Sequence, residues 1–381
     1  MGKRLSSKRE PKQNPYLQKL LILIYLGLTL FLSMADKTIL RAEALTFPSR
    51  NWGFSFGNSK NFMGVRFNFR DKNVEKIYGI NITLWKPYRE NKAAEVTGLS
   101  LGILPGAAEL KGLNIGFLGT GALRNAVGLN FGLLGAGSGQ NLYGFNFGGI
   151  GVGAGENAFG LNLGGLGCGA GKSLKGINLG GLGVGAGDNL IGLNIGGLGA
   201  GAGKNVSGIN AGLAGVGAGE NLNGLTLAGL GAGAGENITG LVIGGLGVGA
   251  GKEIKGLVIA GLGAGAGEKI QGIVIAGVGA GAPKIEGILL TGIGAGGEKL
   301  KGLFLTAGEI KLIKGGHLSG ASVASFNYLQ GSFTGVSIGL VNYAWKLEKG
   351  FQLGVINIIR CNPRGLKILP IFNTAWQTSS R

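Results

Sequence analysis

The chain has 381 residues, of which 83 are Gly and only 8 Pro, with 45% apolar residues and a mean hydropathy of +0.32. This composition excludes collagen, which needs a Gly-X-Y triplet rich in Pro, and a disordered Gly/Ser linker, which would be polar. The formal charge of +18 is uneven: residues 112–286 hold 8 basic and 7 acidic side chains, whereas the stretches on either side are strongly basic.

Residues 1–19 carry Lys3, Arg4, Lys8, Arg9, Lys12 and Lys19, and an apolar run of 13 residues follows from Leu20 to Leu32. A basic lead and a run of this length predict a signal-type targeting segment over 1–44, because the run is short for a membrane span. Small-x-small sites end at Ala35 and Ala44. Cleavage at either, or an uncleaved anchor, leads to export. Residues 45–111 alternate aromatic and polar residues from Trp52 onward, with Asn, Asp and Lys at the breaks, and predict an N-terminal β cap.

From Gly112 the sequence repeats every 16 residues, as in Gly160-LNLGGLGCGAGKSLK followed by Gly176-INLGGLGVGAGDNLI. With the opening Gly as position 1, positions 2, 4 and 7 are mostly large and apolar. Positions 9 and 11 are mostly Ala or Val, and position 15 is mostly Leu, Ile or Val. Period-2 alternation argues for strands. The parity of the apolar rows switches at Gly: at positions 5 and 6, around 12 to 14, and at the Gly opening the next unit. A coil that turns corners there keeps all these rows inward, so 112–314 predict an all-β solenoid of 16-residue coils stacked about 4.8 Å apart. Position 3 is an Asn column (Asn114, Asn130, Asn146, Asn162, Asn178, Asn194, Asn210) that gives way to Thr226, Val242, Val258 and Val274. Stacked amides bond along such a column. Positions 8 and 10 are Gly in every unit from 112 to 272. A column that strict predicts φ > 0 or backbone packed on backbone, so Gly169→Val is expected to be far more damaging than Lys172→Glu. Residues 315–381, with Tyr328, Tyr343, Trp345 and Phe351, predict bulkier C-terminal β repeats and a cap. The competing architecture is an antiparallel outer-membrane β-barrel or meander with one strand per unit. Its lipid-facing row would be about 25 Å tall, and here that row runs into the Gly of positions 6, 8, 10 and 12.

Asn-Val-Glu-Lys-Ile-Tyr-Gly-Ile-Asn at 73–81, the Gly-Leu-Gly-x-Gly-Ala-Gly repeats, Gly-Leu-Val-Asn-Tyr-Ala at 339–344, Gly-Val-Ile-Asn at 354–357 and Leu-Pro-Ile-Phe-Asn at 369–373 resemble a family of bacterial surface repeat proteins found in spirochaetes and Bacteroidetes. The resemblance spans nearly all of 50–373. It implies a surface or outer-membrane location and supplies no catalytic residue.

Chemistry-bearing patterns are sparse. His317 is the one histidine, beside Gly315-Gly316, and reads as a solvated loop residue without partners for a triad or metal site. Cys168 aligns with Val152, Val184 and Ala200 and reads as a buried free thiol; Cys361 lies far away and no disulfide is implied. Asp188 stands alone in its column, which excludes a calcium β-roll. Glu156, Glu220, Glu236 and Glu268 share position 13 with lysines and read as solvated turns. No catalytic, cofactor-binding or metal-binding residue is predicted. Basic side chains are not interleaved with aromatics along the repeats, so nucleic acid is not an expected partner. The basic flanks suit the outer membrane, lipopolysaccharide or anionic lipid, and the repeat face suits a host or cell-surface ligand. The expected function is that of an exported cell-surface or outer-membrane protein, structural or adhesive and without catalysis; the alternative is a channel-like outer-membrane barrel.

Overall fold

The computed structural model describes residues 44–89 and 91–376. The targeting segment therefore lies outside the described residues except for Ala44. Every described element is a β-strand. Each regular unit folds as an eight-residue strand and a four-residue strand, such as Asn157–Gly164 and Gly167–Ala170, separated by two-residue corners. Each strand pairs in parallel with its counterpart one unit on, Gly160 beside Gly176 and Asn162 beside Asn178. The ladder continues through the corners: the Leu182 N–H donates to the Leu166 carbonyl at 2.6 Å, and the Lys172 N–H to that of Glu156 at 2.7 Å.

The molecule is thus a β-solenoid, not an antiparallel barrel or meander. A coil returns to its starting side travelling in the same direction, so neighbouring strands must be parallel. Antiparallel pairing occurs where Ala44–Pro48 lies against Trp52–Gly57 and where Ile368–Thr374 lies against Phe326–Ile359. These two strands cover the ends of the stack. Each carries a proline, Pro48 or Pro370, with no N–H to offer a further strand.

A column of glycines with positive φ runs from Gly53 through Gly64, Gly79 and Gly98 to Gly112, and on through Gly302 to Gly320, Gly335 and Gly350. The flanking regions are therefore coils of uneven length in the same stack. The column is a corner. Ala158 and Asn162 are buried, and strict alternation would put Gly160 inside with them, yet it faces out. Its φ of 115° turns the strand, and a Cβ there would stand 2.1 Å from the Gly144 carbonyl oxygen. Only Gly fits. Glycines of position 10 such as Gly169 and Gly249 are different. A Cβ on Gly169 would meet nothing closer than the Gly185 oxygen at 3.8 Å, and one on Gly249 nothing within 4 Å. The steric demand expected at Gly169 falls instead on position 1 and on corner glycines such as Gly165 and Gly171, where a Cβ would stand 1.8 and 2.0 Å from the preceding coil's carbonyl oxygen.

Three sides result, positions 14–16, 2–5 and 8–11. The interior is filled by positions 3, 5, 9, 11 and 15, for example Asn162, Gly164, Cys168, Ala170 and Leu174. Rows 9, 11 and 15 point inward as expected; rows 2, 4 and 7 do not. Sixteen residues enclose too thin a space for three more aliphatic rows, and the sides are too short to hold them. The inward neighbour of rows 2 and 4 is the Asn column, 0–1% exposed from Asn114 to Asn210. Its amides satisfy one another: each Nδ2 donates to the next coil's Oδ1, from Asn114 to Asn210, at 2.7–2.8 Å. A buried amide partnered on this scale escapes the usual desolvation penalty.

Candidate contact surface

The large apolar side chains left outside form one stripe along the stack. At position 7, Ile150, Leu166, Leu182, Leu198, Leu230, Leu246 and Leu262 are each 49–56% exposed. Position 4 adds Ile195, Leu227, Ile243 and Ile275, all exposed. The N-terminal aromatics continue the same rows: Phe54 and Phe56 occupy positions 2 and 4 of their coil, and Phe56 stacks on Phe67 with ring centroids 5.3 Å apart. They lie on the outer side and do not plug the end of the stack. The stripe reaches the C-terminal coils at Leu340, Val355 and Ile371, which line a shallow apolar groove of about 750 Å³ with Val323, Ile338 and Leu353. At Ala211 the small side chain opens a notch of about 350 Å³ between Ile195 and Leu227.

The size of this surface matters. A fully exposed Leu offers roughly 60–120 Å² of apolar area, taking about 1.5–3 kcal/mol per buried side chain at about 25 cal/mol per Å². Half-exposed residues at three positions over roughly ten coils then present on the order of 1,000 Å² or more, where a stable interface needs about 800 Å² from each partner. Soluble monomers rarely leave so large an apolar patch uncovered.

Charge sits on the corner remote from the stripe. At position 13, Lys172 pairs with Glu156 at 3.1 Å, Lys204 with Asp188 at 3.0 Å and Lys252 with Glu236 at 2.7 Å, each across one coil step. The hydrogen bond that Lys204 donates to Asp188 raises the Lys204 pKa, and that donated to Glu236 raises the Lys252 pKa. Exposed pairs of this kind contribute little to stability. Glu220 and Glu268 occupy the same corner without an ion pair among the described residues. A second, half-buried amide ladder runs beside it at position 14, with Asn141 donating to Asn125 and Asn157 to Asn141 at 2.9 Å.

The singled-out residues do not converge. Cys168 is a buried free thiol as expected; burial pushes its pKa up to about 11, against the lowering effect of backbone hydrogen bonds. Cys361 is free and exposed. His317 lies within strand Glu309–Val323, not in a loop, and its Nδ1 is 2.6 Å from Ser332 Oγ. Arg66 was not singled out by sequence. It is fully buried at position 3 of its coil, where its Nη1 donates to Asp71 Oδ1 at 2.7 Å and Asn81 Oδ1 at 2.8 Å. Asn327, Asn342 and Asn357 build a further interior ladder at 2.8 Å per step. Comparison with protein-family models, with curated proteins and with solved structures gives no match to the chain.

Proposed function

We propose that this chain is an exported structural repeat protein of the cell surface or outer membrane, which acts by contact and not by catalysis. The observation that carries the reading is the apolar stripe, which runs along the stack with a notch at Ala211. From Gly112 to Gly212 each coil leaves large apolar side chains in water while a buried amide takes the inner place, which forgoes roughly half of the about 1.5–3 kcal/mol that full burial of each would contribute. A fold with no use for an outer apolar row would place polar residues there. The targeting segment at 1–44, the basic flanks and the resemblance to surface repeat proteins support the location.

The test combines cell fractionation with N-terminal sequencing of the mature protein and one stripe variant. Expected are a start at Asp36 or Leu45, recovery in the envelope fraction, and release from that fraction by Leu166→Ser/Leu182→Ser/Leu198→Ser with unchanged circular dichroism. A cytoplasmic protein beginning at Met1 or Gly2 would sink the location, and full retention of the stripe variant would sink the role of the stripe.

A further inference from the structure

Between strands Lys76–Trp85 and Glu95–Gly102 the chain leaves the coil path, and the segment that follows Trp85 overhangs the next coils. A cavity of about 1140 Å³ opens beneath it. Arg70, Lys86, Arg89 and Lys92 line one wall, no described carboxylate does, and none of the four is ion-paired among the described residues. Glu90 lies outside the described residues. The charge is held in place: the Arg70 Nε donates to the Lys86 carbonyl at 2.9 Å, and its guanidinium sits 3.7 Å over the Tyr88 ring. Asn91 lies in the same wall, 1% exposed. Its Oδ1 accepts from the Val74 N–H at 2.7 Å, while its Nδ2 has no hydrogen-bond partner among the described residues.

The opposite side has the other chemistry. Gly119 and Gly121 give it a bare, flat floor, and Leu118 and Leu134 border it. These two leucines occupy position 7, so the cavity opens onto the start of the apolar stripe. Tyr88 is already engaged by Arg70, and Thr120, in the inward row at position 9, is buried, so the floor suits neither a stacked base nor a sugar. We propose that this cavity binds an anionic amphiphile, with its carboxylate or phosphate head against the Arg70, Arg89 and Lys92 wall and its alkyl chain along the leucine row. A held guanidinium at Arg70 with three further cations in the same wall favours an anionic head, and the volume suits a lipid-sized ligand. This site is independent of the stripe's role as a contact surface.

The experiment titrates the full chain with the fluorescent long-chain carboxylate parinaric acid below its micellar concentration. Its methyl ester and inorganic phosphate form parallel arms. Expected are saturable binding of the acid, binding of the ester weaker by about tenfold or more, equivalent to about 1.4 kcal/mol, and no displacement by inorganic phosphate. Arg89→Gln/Lys92→Gln, at exposed positions that leave the coils intact, is expected to weaken the acid about tenfold. Leu246→Ser/Leu262→Ser, in the same stripe but beyond the reach of the alkyl chain, is expected to leave its affinity unchanged. Equal affinities for acid and ester, or an unaltered Arg89→Gln/Lys92→Gln variant, overturn the anion site. Displacement by phosphate alone shows a free-anion site and overturns the amphiphile. Loss of binding in the stripe variant would move the ligand out of the cavity and overturn its placement.

Discussion

Coils 112–223 and coils 240–304 share a corner glycine and an outer apolar row, yet their interiors have opposite polarity. In the first, position 3 is Asn and position 5 is Gly, as in Asn162 and Gly164 or Asn178 and Gly180. In the second, position 3 is Val242, Val258, Val274, Leu289 or Phe304, and Ala260, Ala276, Thr291 and Thr306 fill position 5. The two neighbouring inward positions do not switch at the same coil: Ala228 stands beside Thr226, and Gly244 beside Val242. The amide coils are tied by one directional bond per step, so each depends on the identity of the next. The aliphatic coils are held by burial, which asks only for volume. One backbone path can therefore be stabilised in two ways, and the switch falls between Asn210 and Thr226, where Asn210 Nδ2 and Thr226 Oγ1 have no protein partner.

The largest expected effect tests what the two regions share. Gly176→Val and Gly256→Val each force a β-branched side chain to φ of 115° and 126°, with Cβ 2.1 Å from the preceding coil's carbonyl oxygen. Each should lose more than about 4 kcal/mol by chemical denaturation, whereas Gly169→Ala should stay within about 0.5 kcal/mol. A mild effect at one position 1 glycine and a severe one at the other would mean that the regions do not share a corner.

Swapping interiors comes next. Val258→Asn places an amide among aliphatic neighbours and should cost about 3 kcal/mol. Asn162→Val leaves Asn146 Nδ2 and Asn178 Oδ1 without their ladder partners and should cost about 2 kcal/mol. The informative variant is Val242→Asn/Val258→Asn, in which the two new amides meet one coil apart. Its cost should fall short of the sum of the single changes by about 1 kcal/mol, and strict additivity would break the ladder argument. The smallest effect lies at the junction. Thr226→Val removes an unpaired buried hydroxyl and extends the aliphatic interior by one coil, so the denaturation midpoint should rise by the equivalent of about 1 kcal/mol or less; a fall would show that the Thr226 hydroxyl is satisfied.

Much of the fold was legible because repetition magnifies weak signals. The 16-residue period, corners at glycine and the inward rows at 9, 11 and 15 all follow from the sequence. The facing of positions 2 to 4 does not. Hydrophobic patterning puts Leu161 and Leu163 inside and Asn162 outside, and a single coil offers nothing to reverse that. The reversal comes from the bond between Asn162 and Asn178, which exists only once coils stack. The same blindness hid Arg66, whose column mates Asn81 and Asn114 mark it as interior once position 3 is known to face in. Gly169 misled for the opposite reason, since a strict column reads as a steric demand even where a Cβ has room. The basic cavity was out of reach, because it depends on where the segment after Trp85 lies over Gly119 and Gly121.

The parallel register has a mechanical consequence. The ladder bonds point along the stack, so a pull between the two ends loads them one coil at a time, as in a zipper, and spares the rest. Each coil contributes about 4.8 Å to the folded length. Once freed, its 16 residues span roughly 50 Å at about 3.3 Å per residue. Under tension the chain lengthens about tenfold per coil while every coil still seated keeps its shape, which makes the stack a tether that yields in steps and reseats from any surviving neighbour.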